Sequence, residues 1–213
     1  MAGGIIQHKS MTFIEFAELW LERKRLEVKE QSYFRLLDTV RVHIEPIIGF
    51  YMIDKVDANL IQEELINKKC KLLSYSSVKK IYDSLNAYYK YARSMGYVST
   101  NPVDLVLMPQ KTNRIFEKYS NEQTSNLEVL SNDEVQRLVK IANTKYSSGK
   151  DVFPNGKIFV LMLYTGLRRG EACALKWSNF DETQGTLSIS STIIETRDDA
   201  GKTLYREQSS TKS

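Results

Sequence analysis

The chain has 213 residues, enough for one large domain or two small ones. Its 42% hydrophobic content supports a packed core, but no apolar run approaches bilayer length, and the first residues lack the basic-then-apolar layout of a signal peptide, so a cytoplasmic protein without membrane contact is expected. The net charge of +4 is spread evenly, 15 basic against 13 acidic residues up to Gln110 and the same counts beyond, which is compatible with a nucleic-acid partner without requiring one.

Residues 1–10 read as an N-terminal stub or linker. From Thr12 to about Leu107 the pattern is helical. Thr12 and Glu15 have the spacing of a capping box, in which hydroxyl and carboxylate each satisfy an orphan amide. Phe13, Phe16, Ala17, Trp20 and Leu21 follow at helical spacing. A second helix is expected over Ser32 to His43, with Phe34, Leu37, Val40 and Ile44 inward and Pro46 and Gly49 ending it. Asp57 caps a third helix carrying Leu60, Ile61, Leu65 and Ile66. A fourth runs from Ser76 to Met95, with Val78, Ile81, Leu85, Tyr88, Tyr89 and Ala92 as its core stripe and Gly96 as its stop. Asn101 before Pro102 reads as an N-cap with proline at the first helical position. The result is a bundle of about four helices over residues 11–107.

Residues 108–130 are polar and aperiodic and read as an interdomain linker. Ser131 and Glu134 form a second capping box that opens a helix with Val135, Leu138, Val139 and Ala142 inward. After a loop from Tyr146 to Gly156, an apolar helix from Lys157 to Tyr164 leads into a Thr-Gly break and a short second helix. Beyond Trp177 the period changes to alternation. A strand is expected from Thr186 to Ser190 and on toward Thr196, then a turn at residues 197–202, with Gly201 at a positive-φ position, and a return strand from Thr203 to Ser210. Residues 131–213 would form the second domain.

Cys70 and Cys173 lie far apart in helical patterns and read as half-buried free thiols. Only His8 and His43 could join them as ligands and no ligand spacing exists, so neither a metal nor a small-molecule cofactor is expected. There is also no glycine-rich phosphate loop and no Ser-His-Asp order.

On the fourth helix Lys79, Asp83, Asn86, Lys90 and Arg93 recur at spacings of four, three, four and three, which puts them on one face opposite the apolar stripe, with Lys80 at its border. Such a face is usually only solvated; the alternative is a phosphate-contacting surface. Tyr82, Tyr88, Tyr89 and Tyr91 mostly follow the core stripe, so packing explains them better than base stacking does.

The strongest signal is Thr165-Gly166-Leu167-Arg168-Arg169-Gly170-Glu171-Ala172-Cys173-Ala174-Leu175-Lys176-Trp177. Gly166 frees the backbone where two helices meet, so Arg168 stands at a corner with helix on both sides. A guanidinium in a fixed pose matches phosphate oxygens in a fork. An isolated arginine here would read simply as a helix-end charge. Leu167, Ala172, Leu175 and Trp177 are expected in the core, as is Trp20.

This box closely resembles the first catalytic-arginine box of the tyrosine recombinases, the phage and transposon integrase family. Met11-Thr12-Phe13-x-Glu15-Phe16-Ala17-x-x-Trp20-Leu21 and Gly96-Tyr97-Val98-x-x-Asn101-Pro102 are similar to the family's core-binding domain. The resemblance implies a mainly α, SAM-like core-binding bundle followed by the first, incomplete half of a mixed α+β catalytic domain with a β-hairpin. It implies that Arg168 contacts the scissile phosphate, with Glu171 as an accessory acidic residue or merely a first-turn carboxylate. It makes Lys212, in Ser210-Thr211-Lys212-Ser213, the candidate general acid for the leaving 5′ oxygen, with Lys202 as the alternative. Lys79, Lys80, Asn86, Lys90, Arg93 and, from the second helix, Arg41 become candidate DNA contacts, Asn86 a candidate base reader.

The partner implied is a double-stranded recombination site, bound by a homotetramer in full-length relatives, with the linker letting the two domains clamp the duplex. Strand exchange would run through a 3′-phosphotyrosine without ATP or metal. The family's His-x-x-Arg box and late nucleophilic tyrosine do not occur among these residues, so this chain alone is expected to bind DNA and not to cut it. It reads as part of a longer integrase; the alternative is a short non-catalytic protein occupying recombination sites. The arm-binding domain that many integrases carry is not recognisable either. The second domain is expected to be marginally stable, the bundle to be the stable unit.

Overall fold

The structure is a computed structural model and describes residues 10–116, 129–198 and 201–209. The chain divides into two compact units, Met1–Asn126 and Leu127–Ser213.

In the first unit, α1 (Phe13–Glu27) opens on the expected capping box: Thr12 Oγ1 accepts from the Glu15 amide at 3.3 Å and the Glu15 carboxylate accepts from the Thr12 amide at 2.7 Å. The next orphan donors are satisfied by a neighbouring segment, Phe13 N–H to the Tyr51 carbonyl at 2.8 Å and Ile14 N–H to that of Gly49 at 3.1 Å. One end of α1 is thereby sewn to the turn after the second helix.

That second helix, α2, begins at Glu30–Asp38, two residues earlier than expected, and does not stop at His43. It continues through a widened π-helical stretch, Thr39–Ile44, into a last turn, Glu45–Ile48. Pro46 does not end it because the Glu45 amide already bonds five residues back, to Val40, and the proline takes up one of the first positions of the new turn, where its missing N–H costs little. The third helical stretch, α3, starts with Ala58–Leu60, capped by Asp57 Oδ1 on the Leu60 amide at 2.7 Å, and runs through a second widened segment, Ile61–Asn67, to Lys68–Cys70.

The long helix α4 (Tyr75–Ser94) buries all six expected residues of its stripe. It ends as a Schellman turn, with Tyr97 N–H on the Ala92 carbonyl, Gly96 N–H on that of Arg93, and Gly96 at φ 78°. The core it closes is aromatic: Phe13 stacks on Tyr88 at 4.2 Å, Trp20 and Phe16 meet Tyr88 edge-on, and the buried Tyr88 hydroxyl donates to the Phe13 carbonyl at 2.8 Å. The tyrosines on this helix are therefore packing residues, with Tyr88 and Tyr89 buried and Tyr82 and Tyr91 half-buried.

The stretch read as linker is partly anchored. A short turn at Arg114–Phe116 buries Phe116 edge-on against Tyr75 at 5.5 Å, and Gln62 clasps the Leu107 backbone through both its amide groups.

The second unit starts with α5 (Asn132–Ala142), opened by the expected Ser131–Glu134 capping box. Next come α6 (Gly156–Thr165) and α7 (Arg169–Ala174). Gly156 lets α6 approach α5: a Cβ there would sit 2.5 Å from the Ala142 carbonyl oxygen. The expected single strand is split. Thr186–Leu187 (β2) pairs antiparallel with Phe180–Asp181 (β1), and Thr192–Arg197 (β3) pairs antiparallel with Thr203–Gln208 (β4) in a separate hairpin. Its turn has the expected glycine, Gly201 at φ 78°.

Two expectations about packing need correction. Trp177 is 91% exposed rather than in the core. It opens a single turn, Trp177–Asn179, that leaves α7 for β1. Cys173 is exposed, while Cys70 is buried, and burial pushes the Cys70 thiol pKa up. Helix α6 is apolar, yet Phe159 and Tyr164 are exposed and its other apolar residues only half-buried. Among the described residues, the buried groups of this unit are small or polar, namely Ala142, Gly156, Glu171, Ala172, Ala174 and Thr196, whereas the first unit buries Trp20, Tyr88, Tyr89, Phe13 and Phe16.

Candidate nucleic-acid and phosphate site

Helix α6 ends where Gly166 adopts the left-handed conformation, φ 68°, with its amide on the Met162 carbonyl at 2.9 Å. Arg168 is then the N-cap of α7, extended at φ −70°, ψ 154°. Its side chain is 73% exposed, while the Glu171 side chain one turn on is only 10% exposed. The Glu171 carboxylate accepts from the Arg168 backbone amide at 2.8 Å and from Nη1 of its guanidinium at 2.9 Å. Those two bonds, the backbone one first, hold the Glu171 carboxyl below the usual carboxylate range. One nearly buried carboxylate thus fixes both the backbone and one edge of the guanidinium, leaving its other donors facing solvent. A guanidinium held in this way can take the oxygens of an anion without reorganising.

Two supports were not read from the sequence as part of the site. Gly170 packs on β3: a Cβ there would run into Thr192 Oγ1 and lie 2.6 Å from the Ile193 carbonyl oxygen. Glycine in the box is therefore a close-approach residue that presses the arginine corner onto the hairpin. Lys176 Nζ donates to both carboxylate oxygens of Glu207 at 2.8 Å, tying the segment after α7 to β4, and this holds the Glu207 carboxyl below its usual range. Their 31-residue separation gives no local signal.

Lys212 lies outside the described residues. Lys202 is set away from the Gly170 contact along the hairpin. The Gly170 contact is at the Thr192–Gln208 end, and Lys202 precedes Thr203 at the other end, five residue steps or about 17 Å away.

The expected face of α4 exists, but its charges are unequal. Lys79 is paired with Asp83 at 2.9 Å, which raises the lysine pKa. Lys80, Lys90 and Arg93 are exposed and have no carboxylate partner among the described residues. Arg41 is exposed in the widened stretch of α2. Asn86 is half-buried and bonded to Asn101. The structure therefore places the basic residues of α4 together in the first unit, and Arg168 with Glu171 in the second. No group of three or more His, Cys, Asp or Glu side chains suited to a metal occurs among the described residues, and no described helix is long and apolar enough to cross a membrane.

Residues 12–70 match the phage integrase N-terminal SAM-like domain and residues 128–210 match the phage integrase family. The chain is 24% identical over 212 residues to IntQ of Escherichia coli strain K12, a protein named as defective, across 92% of this chain and 48% of that one. It is 25% identical to the prophage ps2 probable integrase of Lactococcus lactis, across 86% and 45%. Among solved structures, the Tn1549 transposon integrase in complex with a circular intermediate DNA aligns with a TM-score of 0.64 at 21% identity, over 94% of this chain and 58% of that one. A lambda integrase dimer bound to a COC′ core site aligns with a TM-score of 0.62 at 16% identity, over 93% and 49%. The chain spans about half the length of the curated relatives it matches. With both units matched in order, the chain belongs to the phage integrase, or tyrosine recombinase, family.

Proposed function

We propose that this chain is the DNA-binding part of a site-specific tyrosine recombinase that integrates or excises a mobile element by strand exchange through a 3′-phosphotyrosine. The observation that carries the reading is the arginine corner. Arg168 projects into solvent while Glu171 holds its backbone and one guanidinium edge. Attack on a phosphodiester builds charge on the non-bridging oxygens, and a donor already in place stabilises that charge without reorganising. Arg168 is the phosphate-binding residue in this reading, and Glu171 positions it. Lys212 is the proton donor to the 5′ oxygen; the remoteness of Lys202 from Gly170 supports that choice. In the first unit Lys80, Lys90 and Arg93, with Lys79 on the same helix and Arg41 on α2, neutralise duplex phosphates. The DNA-bound lambda and Tn1549 integrases share the fold, which supports duplex DNA as the partner, and a lambda integrase tetramer on a Holliday junction supports a homotetramer for a full-length form. No cofactor enters this scheme.

The test is fluorescence anisotropy of a labelled duplex titrated with the chain at several salt concentrations, followed by a denaturing gel on a nicked duplex. Binding whose log affinity falls linearly with log salt, and no covalent protein–DNA band, is the expected result. Absence of salt-dependent binding would reject the reading, and a covalent band would reject the non-cleaving part of it.

A further inference from the structure

Asn86 lies in the middle of the basic face of α4, and its amide is oriented by a short chain of hydrogen bonds. Asn101 is 3% exposed. Its Oδ1 accepts from the Val103 backbone amide at 3.0 Å, a group that can only donate. Its Nδ2 donates to Asp104 Oδ1 at 2.8 Å, a group that only accepts at neutral pH. Both ends of the Asn101 amide are therefore fixed. The same Nδ2 lies 2.8 Å from Asn86, so the atom Asn86 offers it must be an acceptor, its Oδ1. The remaining Asn86 group is the Nδ2 amine. It has no protein partner among the described residues and is not among the buried unsatisfied side-chain atoms, so solvent reaches it. An asparagine normally offers both a donor and an acceptor group freely; here the oxygen is already engaged by Asn101, and the amine is the group left without a protein partner among the described residues.

Its surroundings agree. One turn toward the N-terminus, the Lys79–Asp83 pair neutralises the face. One and two turns toward the C-terminus, Lys90 and Arg93 are exposed without carboxylate partners among the described residues. Between Asn86 and Arg93 the charged groups of this face, Lys90 and Arg93, are both hydrogen-bond donors.

We infer that Asn86 reads bases chiefly through its amine and prefers guanine in the major groove, a role resting on the reading that the first unit binds duplex DNA. A free asparagine amide pairs with adenine through both groups, donating to N7 and accepting from N6. With one Oδ1 lone pair taken by Asn101 and the oxygen held toward it, that bidentate pairing is disfavoured. Guanine offers two adjacent acceptors, N7 and O6, to a single amine. Thymine offers O4 alone, and cytosine presents a donor that would oppose the amine. Asn101 is then a positioning residue, setting the polarity of the reader without touching DNA.

The experiment is binding-site selection from a randomised duplex library with the full chain, Asn86→Ala and Asn86→Asp, each first checked for helical content by circular dichroism. The expected result is one position where the wild type prefers guanine over adenine by roughly tenfold, the size of one good base contact. Asn86→Ala should flatten that position alone. Asn86→Asp keeps an oxygen for Asn101 and turns the outward group into an acceptor, so it should shift the position toward cytosine. Should the aspartate variant fail the folding check, the alanine variant decides alone. An unchanged motif in Asn86→Ala, loss of an adenine preference, or a uniform affinity loss at all sequences would overturn the inference and leave the proposed function standing. Failure of the wild type to retain any duplex in a salt-dependent way would overturn the proposed function and this inference with it.

Discussion

Replacing Gly170 by alanine should loosen the second unit, although alanine is the better helix former. In an open helix position the exchange would stabilise by about 1 kcal/mol. Here the new Cβ would meet Thr192 Oγ1 and lie 2.6 Å from the Ile193 carbonyl oxygen. The threonine hydroxyl can rotate away. The carbonyl cannot, because it belongs to the backbone of β3, where Ile193 pairs with Glu207 of β4. Either α7 or the hairpin must retreat by the better part of an ångström. Overpacking costs about 1–3 kcal/mol, and against a backbone carbonyl this close the upper part of that range applies, so after the propensity gain a net loss of roughly 1–2 kcal/mol is expected. Amide hydrogen exchange of β3 and β4 by mass spectrometry reads this locally, and 1–2 kcal/mol would appear as about 5–30-fold faster exchange. Arg169→Ala, one residue earlier and exposed, is the control and should leave the rates unchanged. A Gly170→Ala protein whose strands exchange as slowly as wild type would refute the close packing of α7 on β3, and with it the account of how Arg168 is held.

Other outcomes follow from the same contacts. Tyr88→Phe removes the buried bond to the Phe13 carbonyl and should destabilise the first unit by about 1–2 kcal/mol in urea denaturation, leaving the second unit's transition unchanged. Burial raises the pKa of Tyr88 and Tyr89 above the ordinary 10, so the unfolded chain releases their protons first. Stability from this source is complete below pH 10 and falls as pH rises beyond it, by about 1.4 kcal/mol per pH unit for each tyrosine, and Tyr89→Phe should halve the slope. Glu171 has the opposite sign. Its depressed pKa makes its contribution present at neutral pH and lost as pH falls below the ordinary carboxylate value of 4.5, so Glu171→Gln should remove part of the acid-induced loosening seen in a pH series of α7 exchange rates. Limited proteolysis should leave a fragment containing the bundle, since the large buried side chains are there; survival of residues beyond Leu130 with digestion of the bundle would contradict this.

What could be read from the sequence was mostly local. Thr12 with Glu15, Ser131 with Glu134, Asp57 and Gly96 act within one turn of their own position, and all four do what their spacing says. The α4 stripe was legible because one helix faces one core. Long-range packing was not. Pro46 looked like a stop because its effect depends on a five-residue hydrogen bond that widens the helix just before it. The alternation after Thr186 concealed a break between two hairpins, since each short strand keeps the same period. Trp177 was placed in the core by residue type, whereas its position in the turn after α7 leaves it in solvent. At the site, Arg168 and Glu171 were visible as a box three residues apart. The reason for Gly170, the Lys176–Glu207 tie and the Asn86–Asn101 bond join residues 15 to 31 positions apart, or elements whose contact only the fold creates.

In the proposed function two surfaces of this chain meet duplex DNA, the basic face of α4 and the arginine corner after α6. Hydrogen–deuterium exchange of the chain with and without a saturating duplex tests it most directly. The expected result is slower exchange in peptides spanning residues 80–95 and 166–172, reversed by high salt, with the 166–172 protection lost in Arg168→Ala. Protection confined to other segments, or unchanged at 166–172 when Arg168 is removed, would contradict it.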